Sequence, residues 1–403
     1  MRWLGPSVVG LAVLSTLGCD LRSFWGEAFL SEPAARPCGD AAPCPAGQRC
    51  DAEQGVCREA VDLSPSGCRD HAACGPAGLC RLDESFPGAT LAAVGACLPP
   101  DRLCIVDGDR CLPGGDGTSE RPLCDPQEAA ARGGRCAFAL VRARADGRRY
   151  GGLRLLSGAL VVVGPGRDAP AVLGGVEVAG GASLTLLDVG VENPDRTAVR
   201  CGEGGRLTLV RVAVQGSDVG VEAQGCEQIV VEASRINGNR NDGLHLVAQE
   251  FRVVNTLVLG NGFDPGASAS GVYIKGGRGT FAFNTVVSNG RMGQDGGGIS
   301  CTAGPERFVL LTDSIVSGNG VGAMRTQFVG SCRPERVVVG SDALGAPGLI
   351  KMDPQLDPVT FRLTPRSTCC IDRAQRDPTV RTDHEGTPRP QGGGYDIGCH
   401  ELK

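Results

Sequence analysis

The chain has 403 residues, 62 of them glycine, with aromatics at only 4% and a net charge of -5. An apolar set dominated by Val, Leu and Ala between frequent glycines argues against helix-rich folds, and dispersed arginines without a polybasic run argue against nucleic acid as a partner. Twenty cysteines include no C-x-x-C pair, which sets aside structural zinc and points to disulfides made in an oxidising compartment.

Residues 1–18, "MRWLGPSVVGLAVLSTLG", carry a positive charge at Arg2 and an apolar run from Val8 to Leu17. This is the shape of a secretory signal peptide, too short to span a bilayer. Gly18 and Cys19 resemble the end of a bacterial lipobox, with Thr16 and Leu17 departing from its usual Leu and small residue. The resemblance implies export across the inner membrane, cleavage before a lipidated Cys19, a linker over 19–37, and a cell-envelope or surface protein held to a membrane by its acyl chains.

Twelve cysteines fall between Cys38 and Cys136, in sets of four. "CGDAAPCPAGQRC" and "CRDHAACGPAGLC" share a C-x5-C-x5-C start, and a degenerate third set runs from Cys104 to Cys136. With few large apolar residues between them, such modules depend on cross-links of about 2–4 kcal/mol each, and each set allows three pairings. The acidic stretch "DGDRCLPGGDGT" from Asp107 lacks the EF-hand spacing and reads as turns. Residues 38–136 are therefore expected to form disulfide-rich repeats that act as a spacer or contact region.

From Gly174 onward the sequence repeats. Units beginning at Leu184, Leu207, Ile229, Phe251, Thr280 and Val309 are spaced 23, 22, 22, 29 and 29 residues apart, the extra length falling in glycine-rich loops. A second short repeat runs between them, as "GVEV" at Gly175, "GVEA" at Gly220, "GLHL" at Gly243 and "GVYI" at Gly271. Short strands with period-2 alternation, separated by Gly, Asn and Asp, suit the coils of a parallel β-helix, in which a lone coil buries nothing and stacking at about 4.8 Å aligns inward side chains into ladders. The inward pairs are Val176/Val178, Val199/Cys201, Val221/Ala223, Leu244/Leu246, Val272/Ile274 and Ile299/Cys301. The asparagines and glycines of "NGN", "GNG" and "SNG" are expected at turns of positive φ.

These units resemble the right-handed parallel β-helix repeats of pectate-lyase-like proteins, and the handedness comes from that resemblance. The end of the chain resembles the closing segment of the choice-of-anchor Q family, through Asp353, Arg362, Leu363, Pro365, Ser367, Ile371, Asp372, Gly386, Arg389, Asp396, Ile397, Gly398 and Glu401; His400 departs from the usual aromatic. The expected fold is all-β, a single-stranded right-handed parallel β-helix over 137–350 with a closing segment over 351–403, preceded by the small disulfide-rich region. By repeat position Cys226 and Cys332 fall one coil after Cys201 and Cys301, suggesting Cys201–Cys226 and Cys301–Cys332 bridges, with buried thiols at Cys201 and Cys301 as the alternative. In the family tail Cys370 and Cys399 replace small residues and suggest a pair, leaving Cys369 over.

The outward column of the same strand reads Glu177, Arg200, Glu222, His245, Tyr273 and Ser300, followed by Lys275 and Thr302 on the next outward step. Glu177 and Glu222 are two coils apart, about 9.6 Å by strand spacing, the long end of the range for an inverting glycosidase, but Arg200 lies between them and the column reads more simply as a charge ladder. Asp242 is read as part of the turn "NGNRND". Glu222, His245, Tyr273 and Lys275 are the candidate ligand face; no catalytic, cofactor or metal residue is assigned. The expectation is a non-catalytic lipoprotein whose β-helix is a rigid adhesion or display scaffold, with polysaccharide or surface proteins as partners. The alternative is a pectate-lyase-like lyase or glycoside hydrolase on the same fold.

Overall fold

The computed structural model describes residues 102–403, apart from 167–169, 265–270, 291–296, 304–307, 321–326 and 341–346, together with the backbone of five short strands before them. The signal segment, Cys19, the linker and the pairing of the first eight cysteines of 38–136 lie outside the described residues. The chain divides into two units, Met1–Asp62 and Leu63–Lys403. In the first, Gln48–Asp51 pairs antiparallel with Val56–Glu59. In the second, Gly95–Cys97 pairs antiparallel with both Gly67–Cys68 and Cys80–Arg81.

The remainder of the second unit is a three-sided solenoid. Each full coil contributes one strand to each of three parallel sheets of eight, ten and nine strands. In the coil that carries His245 these are Leu244–Val247, Glu250–Val254 and Leu257–Leu259, which belong to the first, second and third sheet respectively. Alternation places Leu244 and Leu246 inward and fully buried, and the same holds for Val199 and Cys201, Val221 and Ala223, Val272 and Ile274, and Ile299 and Cys301. One continuous apolar cluster threads the coils from Cys104 to Val339, because stacked strands place like residues over like.

The solenoid starts earlier than a boundary at 137. Leu103–Val106 pairs in parallel with Phe138–Val141 as the first strand of the second sheet. Between these strands lies the helix Pro126–Ala131, with proline in its first turn and the Asp125 side chain accepting from Gln127 N at its start. Its Ala129 is buried in the common core. Disulfide Cys104–Cys136 spans it along the chain, and Cys111–Cys124 closes a smaller loop just before it. The third cysteine set is thus part of the first coils; its dense Gly and Pro mask a strand of only four residues.

The bend between the second and third sheets is one or two residues long and left-handed in successive coils, at Asp188, Arg211, Ala233, Asn255, Phe283, Asp313 and Arg336. Such a conformation costs a non-glycine residue about 1–2 kcal/mol, and neighbouring coils offset it. Arg211 donates to both Asp188 oxygens, and Arg336 to both Asp313 oxygens, from one coil to the next.

Of the residues expected at positive φ in these turns the glycines adopt it, and the asparagines do something else. At the bend from the third sheet back to the first, the positive φ belongs to Gly216, Gly238, Gly260, Ser288 and Gly318, each one residue earlier. Asn239, Asn261, Asn289 and Asn319 are instead buried in a ladder. Asn239 Oδ1 accepts from Ser217 N, and from Asn261 on each side-chain oxygen accepts both the main-chain and the side-chain N–H of the preceding coil's asparagine, as in Asn261 N and Nδ2 to Asn289 Oδ1 at 3.0 and 2.9 Å. Gln327 ends the run beneath Asn319.

The C-terminal segment does not sit on the end of the last coil but runs back along the side of the solenoid, over the left-handed bends. Thr382 O accepts from Asn255 Nδ2, Gly398 N donates to Asp313 O, and Cys399 N donates to Thr285 Oγ1. Val380 and Tyr395 pack on Val254, Ala282 and Phe283. At its centre Arg389, fully buried with Glu401 at 2.6 Å, also donates to Asp396 O, Gly398 O and Asn255 Oδ1 and lies over the Phe283 ring. Asp396 ties the segment together by accepting from Asp372 N and Leu402 N.

His400, where the resembling family has an aromatic, is packed edge-on against His384 and beside Cys399. Burial holds its imidazole down to about 4, against the opposing charges of Glu385 and Asp383. The unfolded chain then binds more protons between pH 6.5 and 4, so the contribution of this group is complete above pH 6.5 and is lost as pH falls to about 4, on the order of 3 kcal/mol in all. Denaturation measured from pH 7 to 4 is expected to show this loss in the wild type and its absence in His400→Phe; identical profiles would contradict it.

Candidate functional site

The outward column of the first sheet is set by strand register. Arg154, Glu177, Arg200, Glu222, His245, Tyr273 and Ser300 lie side by side on consecutive coils. Arg154 Nε meets Glu177 Oε2 at 2.9 Å, and Arg200 Nη2 meets Glu222 Oε2 at 2.9 Å. Glu222 also accepts from Thr197 Oγ1 at 3.1 Å. The two carboxylates a hydrolase would need are each engaged by the arginine of a neighbouring coil, and being largely solvent-exposed these pairs are worth little in stability.

The next rungs differ. His245 Nδ1 lies 2.8 Å from Asp242 Oδ2, and its ring is 4.6 Å from that of Tyr273, tilted by 36°. Asp242 is only 8% exposed. Burial raises its carboxyl above the ordinary range, an effect that its hydrogen bond to His245 opposes. With Nδ1 occupied by the carboxylate, the other ring nitrogen is left for a ligand or proton. Lys275 is two residues beyond Tyr273 on the same face, exposed and outside any ion pair among the described residues.

The four residues of the sequence-predicted face thus come together: Glu222, His245 and Tyr273 on three successive coils, with Lys275 beside them. A fifth member is Asp242, read from the sequence as punctuation of the turn "NGNRND" although it and His245 look there like an acid and histidine pair. Its D-x-x-H spacing is visible in the sequence, but only the sharp bend before Leu244 turns a carboxylate three residues upstream back onto the ring. Also beyond sequence reasoning is a cleft of about 490 Å³ two to four coils before His245, lined by Arg154, Glu177, Asn193, Arg196, Arg200 and Asp218 among others. Its wall is built by Asn193, which donates from Nδ2 to Thr197 O and from its main chain to Ser217 Oγ. Among the described residues no three His, Cys, Asp or Glu side chains converge as a metal-binding group.

The cysteines of the solenoid fall into two kinds. Cys201–Cys226 and Cys301–Cys332 are disulfides, each joining an inward strand position to the turn one coil later. Cys370 and Cys399, expected as a pair, are not joined: both are buried thiols, as is Cys369. Their sulfurs enter different apolar clusters, Cys370 with Ile315, Val338 and Ile397, and Cys399 with Leu257 and Val287.

The description "right handed beta helix region" matches residues 173–327 of the chain. The fold is that of a right-handed parallel β-helix. Among solved structures, the crystal structure of pectate lyase Pel9A is similar, at 14% identity with a TM-score of 0.41, over 75% of this chain and 96% of that one. Comparison with curated proteins finds no match. In this β-helix protein the family match takes in Glu177, Glu222, His245, Tyr273 and Lys275, and ends before the C-terminal segment.

Proposed function

We propose that the protein is a non-catalytic cell-envelope lipoprotein whose β-helix is a rigid adhesion or display scaffold, contacting polysaccharide or surface proteins through Glu222, His245, Tyr273 and Lys275. The observation that carries this reading is the pairing of the column's charges: Arg154 with Glu177, Arg200 with Glu222, and Asp242 with His245. A glycosidase needs one carboxyl to protonate the leaving group and a second to activate water or attack, and carboxylates held in ion pairs suit neither role. A stacked His–Tyr pair flanked by a free lysine is instead a surface that can lie against a sugar ring and hydrogen-bond its hydroxyls.

A second reading, a polysaccharide lyase or glycoside hydrolase, is favoured by one feature, the imidazole oriented by a buried carboxylate. Product release from a panel of acidic polysaccharides separates the two. No turnover is expected from the wild type; turnover that disappears in the Glu222→Ala, His245→Ala, Lys275→Ala variant would replace the scaffold reading with the enzymatic one. The anchor is tested independently by metabolic labelling with a clickable fatty acid. Label is expected on the wild type and not on Cys19→Ser; label that survives the substitution would remove the lipid assignment.

A further inference from the structure

We propose that Cys369 and Cys370 form a vicinal disulfide, an oxidative modification site that closes the turn under the C-terminal segment into a small covalent ring. Three thiols stand apart from the four disulfides among the described residues. Two of them already touch, Cys369 Sγ and Cys370 Sγ being 3.4 Å apart, so a bond of about 2.05 Å needs them to close by about 1.4 Å. Cys399 is held elsewhere, its main chain donating to Thr285 Oγ1 and its sulfur beside His400 Nδ1. The pair is therefore the nearest partner either sulfur has, and the protein's own inter-coil bridges show that disulfides belong to its chemistry.

The two thiols are unequal in a way that orders the reaction. Cys369 keeps 6% exposure while Cys370 has none. The hydrogen bond from Cys370 draws the Cys369 thiol below its ordinary range, and the same contact, with burial, pushes Cys370 up. Cys369, as thiolate, attacks a small-molecule disulfide such as glutathione disulfide, whose S–S bond breaks and releases one thiolate. Cys370 gives its proton to that thiolate and attacks Cys369 Sγ, expelling the second. Two protein thiols are oxidised to one disulfide, and one donor disulfide is reduced to two thiols.

Adjacency also fixes how the bond behaves. Neighbouring Cα atoms are about 3.8 Å apart across a trans peptide, below the usual span of about 4.4–6.8 Å for a disulfide, so the ring is strained and more easily reduced than an ordinary bridge. The strain falls on a turn that holds the segment down: Cys370 N donates to Ser367 O, and Cys370 O accepts from Ile397 N. Mild reductant would then open this ring while Cys201–Cys226 and Cys301–Cys332, buried in the solenoid, stay closed.

Trypsin releases both residues on one peptide, "STCCIDR", from Ser367 to Arg373. The full-length protein is incubated with glutathione disulfide, unfolded in iodoacetamide without reductant, digested and weighed. The expected result is this peptide unlabelled and lighter by two hydrogens than its dithiol, with Cys399 labelled. A doubly labelled peptide, or one cross-linked to the Cys399 peptide, would overturn the proposal. In Cys369→Ser, Cys370 is expected to take the label. In a titration with dithiothreitol before labelling, "STCCIDR" should open first; earlier labelling of the inter-coil cysteines would refute the strained ring.

Discussion

Arg389→Ala is expected to destabilise docking of the C-terminal segment by about 3–5 kcal/mol, the range for breaking a buried ion pair from one side. The guanidinium has no solvent exposure and is shared by Glu401, Asp396 O, Gly398 O and Asn255 Oδ1. Its removal strands a carboxylate and two carbonyls in a site too closed for water to replace it freely. The loss should appear as protease cleavage within 351–403 under native conditions while the coils persist, because the segment is a lateral strap and not a member of the three sheets. Arg389→Met with Glu401→Leu, which removes both charges, is expected to recover much of the protection. Undiminished resistance in Arg389→Ala would show that the strap is held by its apolar contacts alone.

Asn289→Ala is expected to cost about 4 kcal/mol, and at a place where an exposed asparagine would cost almost nothing. The Asn289 amide accepts from Asn261 N and Nδ2 and donates to Val258 O, Val287 O and Asn319 Oδ1, all within a fully buried bend. Truncation leaves Asn261 N without its acceptor and takes one partner each from Asn261 Nδ2, Val258 O, Val287 O and Asn319 Oδ1, at about 1–3 kcal/mol for a buried group left unsatisfied. Hydrogen exchange is the informative measurement, since protection should fall at Asn261 and Asn289 and along the coils that flank them. Loss confined to residue 289 would mean that the ladder transmits nothing between coils.

Much of this was legible in the sequence, for identifiable reasons. Stacking forces like residues over like, so the inward pairs from Val176/Val178 to Ile299/Cys301 announce themselves as a repeat. The same register places Glu222, His245 and Tyr273 in one outward row. The asparagine ladder was misread because a short amide is equally suited to a left-handed turn and to a buried rung; only the glycine or serine preceding each one shows which residue bears the positive φ. The opposite bend carries only a partial signal, since Asp188, Asn255 and Asp313 are residue types that tolerate its conformation and Arg211, Ala233, Phe283 and Arg336 are not. Cys370 and Cys399 look like partners in the tail motif, yet the positive φ of Gly398 precedes a sulfur that enters another cluster. Asp242 and His245 look like a pair in the sequence but read as turn punctuation, because their contact is made across a bend that the repeat only brackets.

The ladder has one further consequence, for how such a chain tolerates change. Between Leu259 and Val272, Val287 and Ile299, and Ser317 and Phe328 the connections are long, whereas those between the second and third sheets in the same coils are two residues. Each long connection includes a rung, Asn261, Asn289 or Asn319, whose amide fixes that point of the chain to the neighbouring coils. Length can therefore be added or removed beyond that point without moving the coil that carries it. The molecule behaves as a graduated ruler, with attachment points repeating at about 4.8 Å along one edge. Peptides grafted after Asn261, Asn289 and Asn319 would be attached to successive coils, in an order set by the chain.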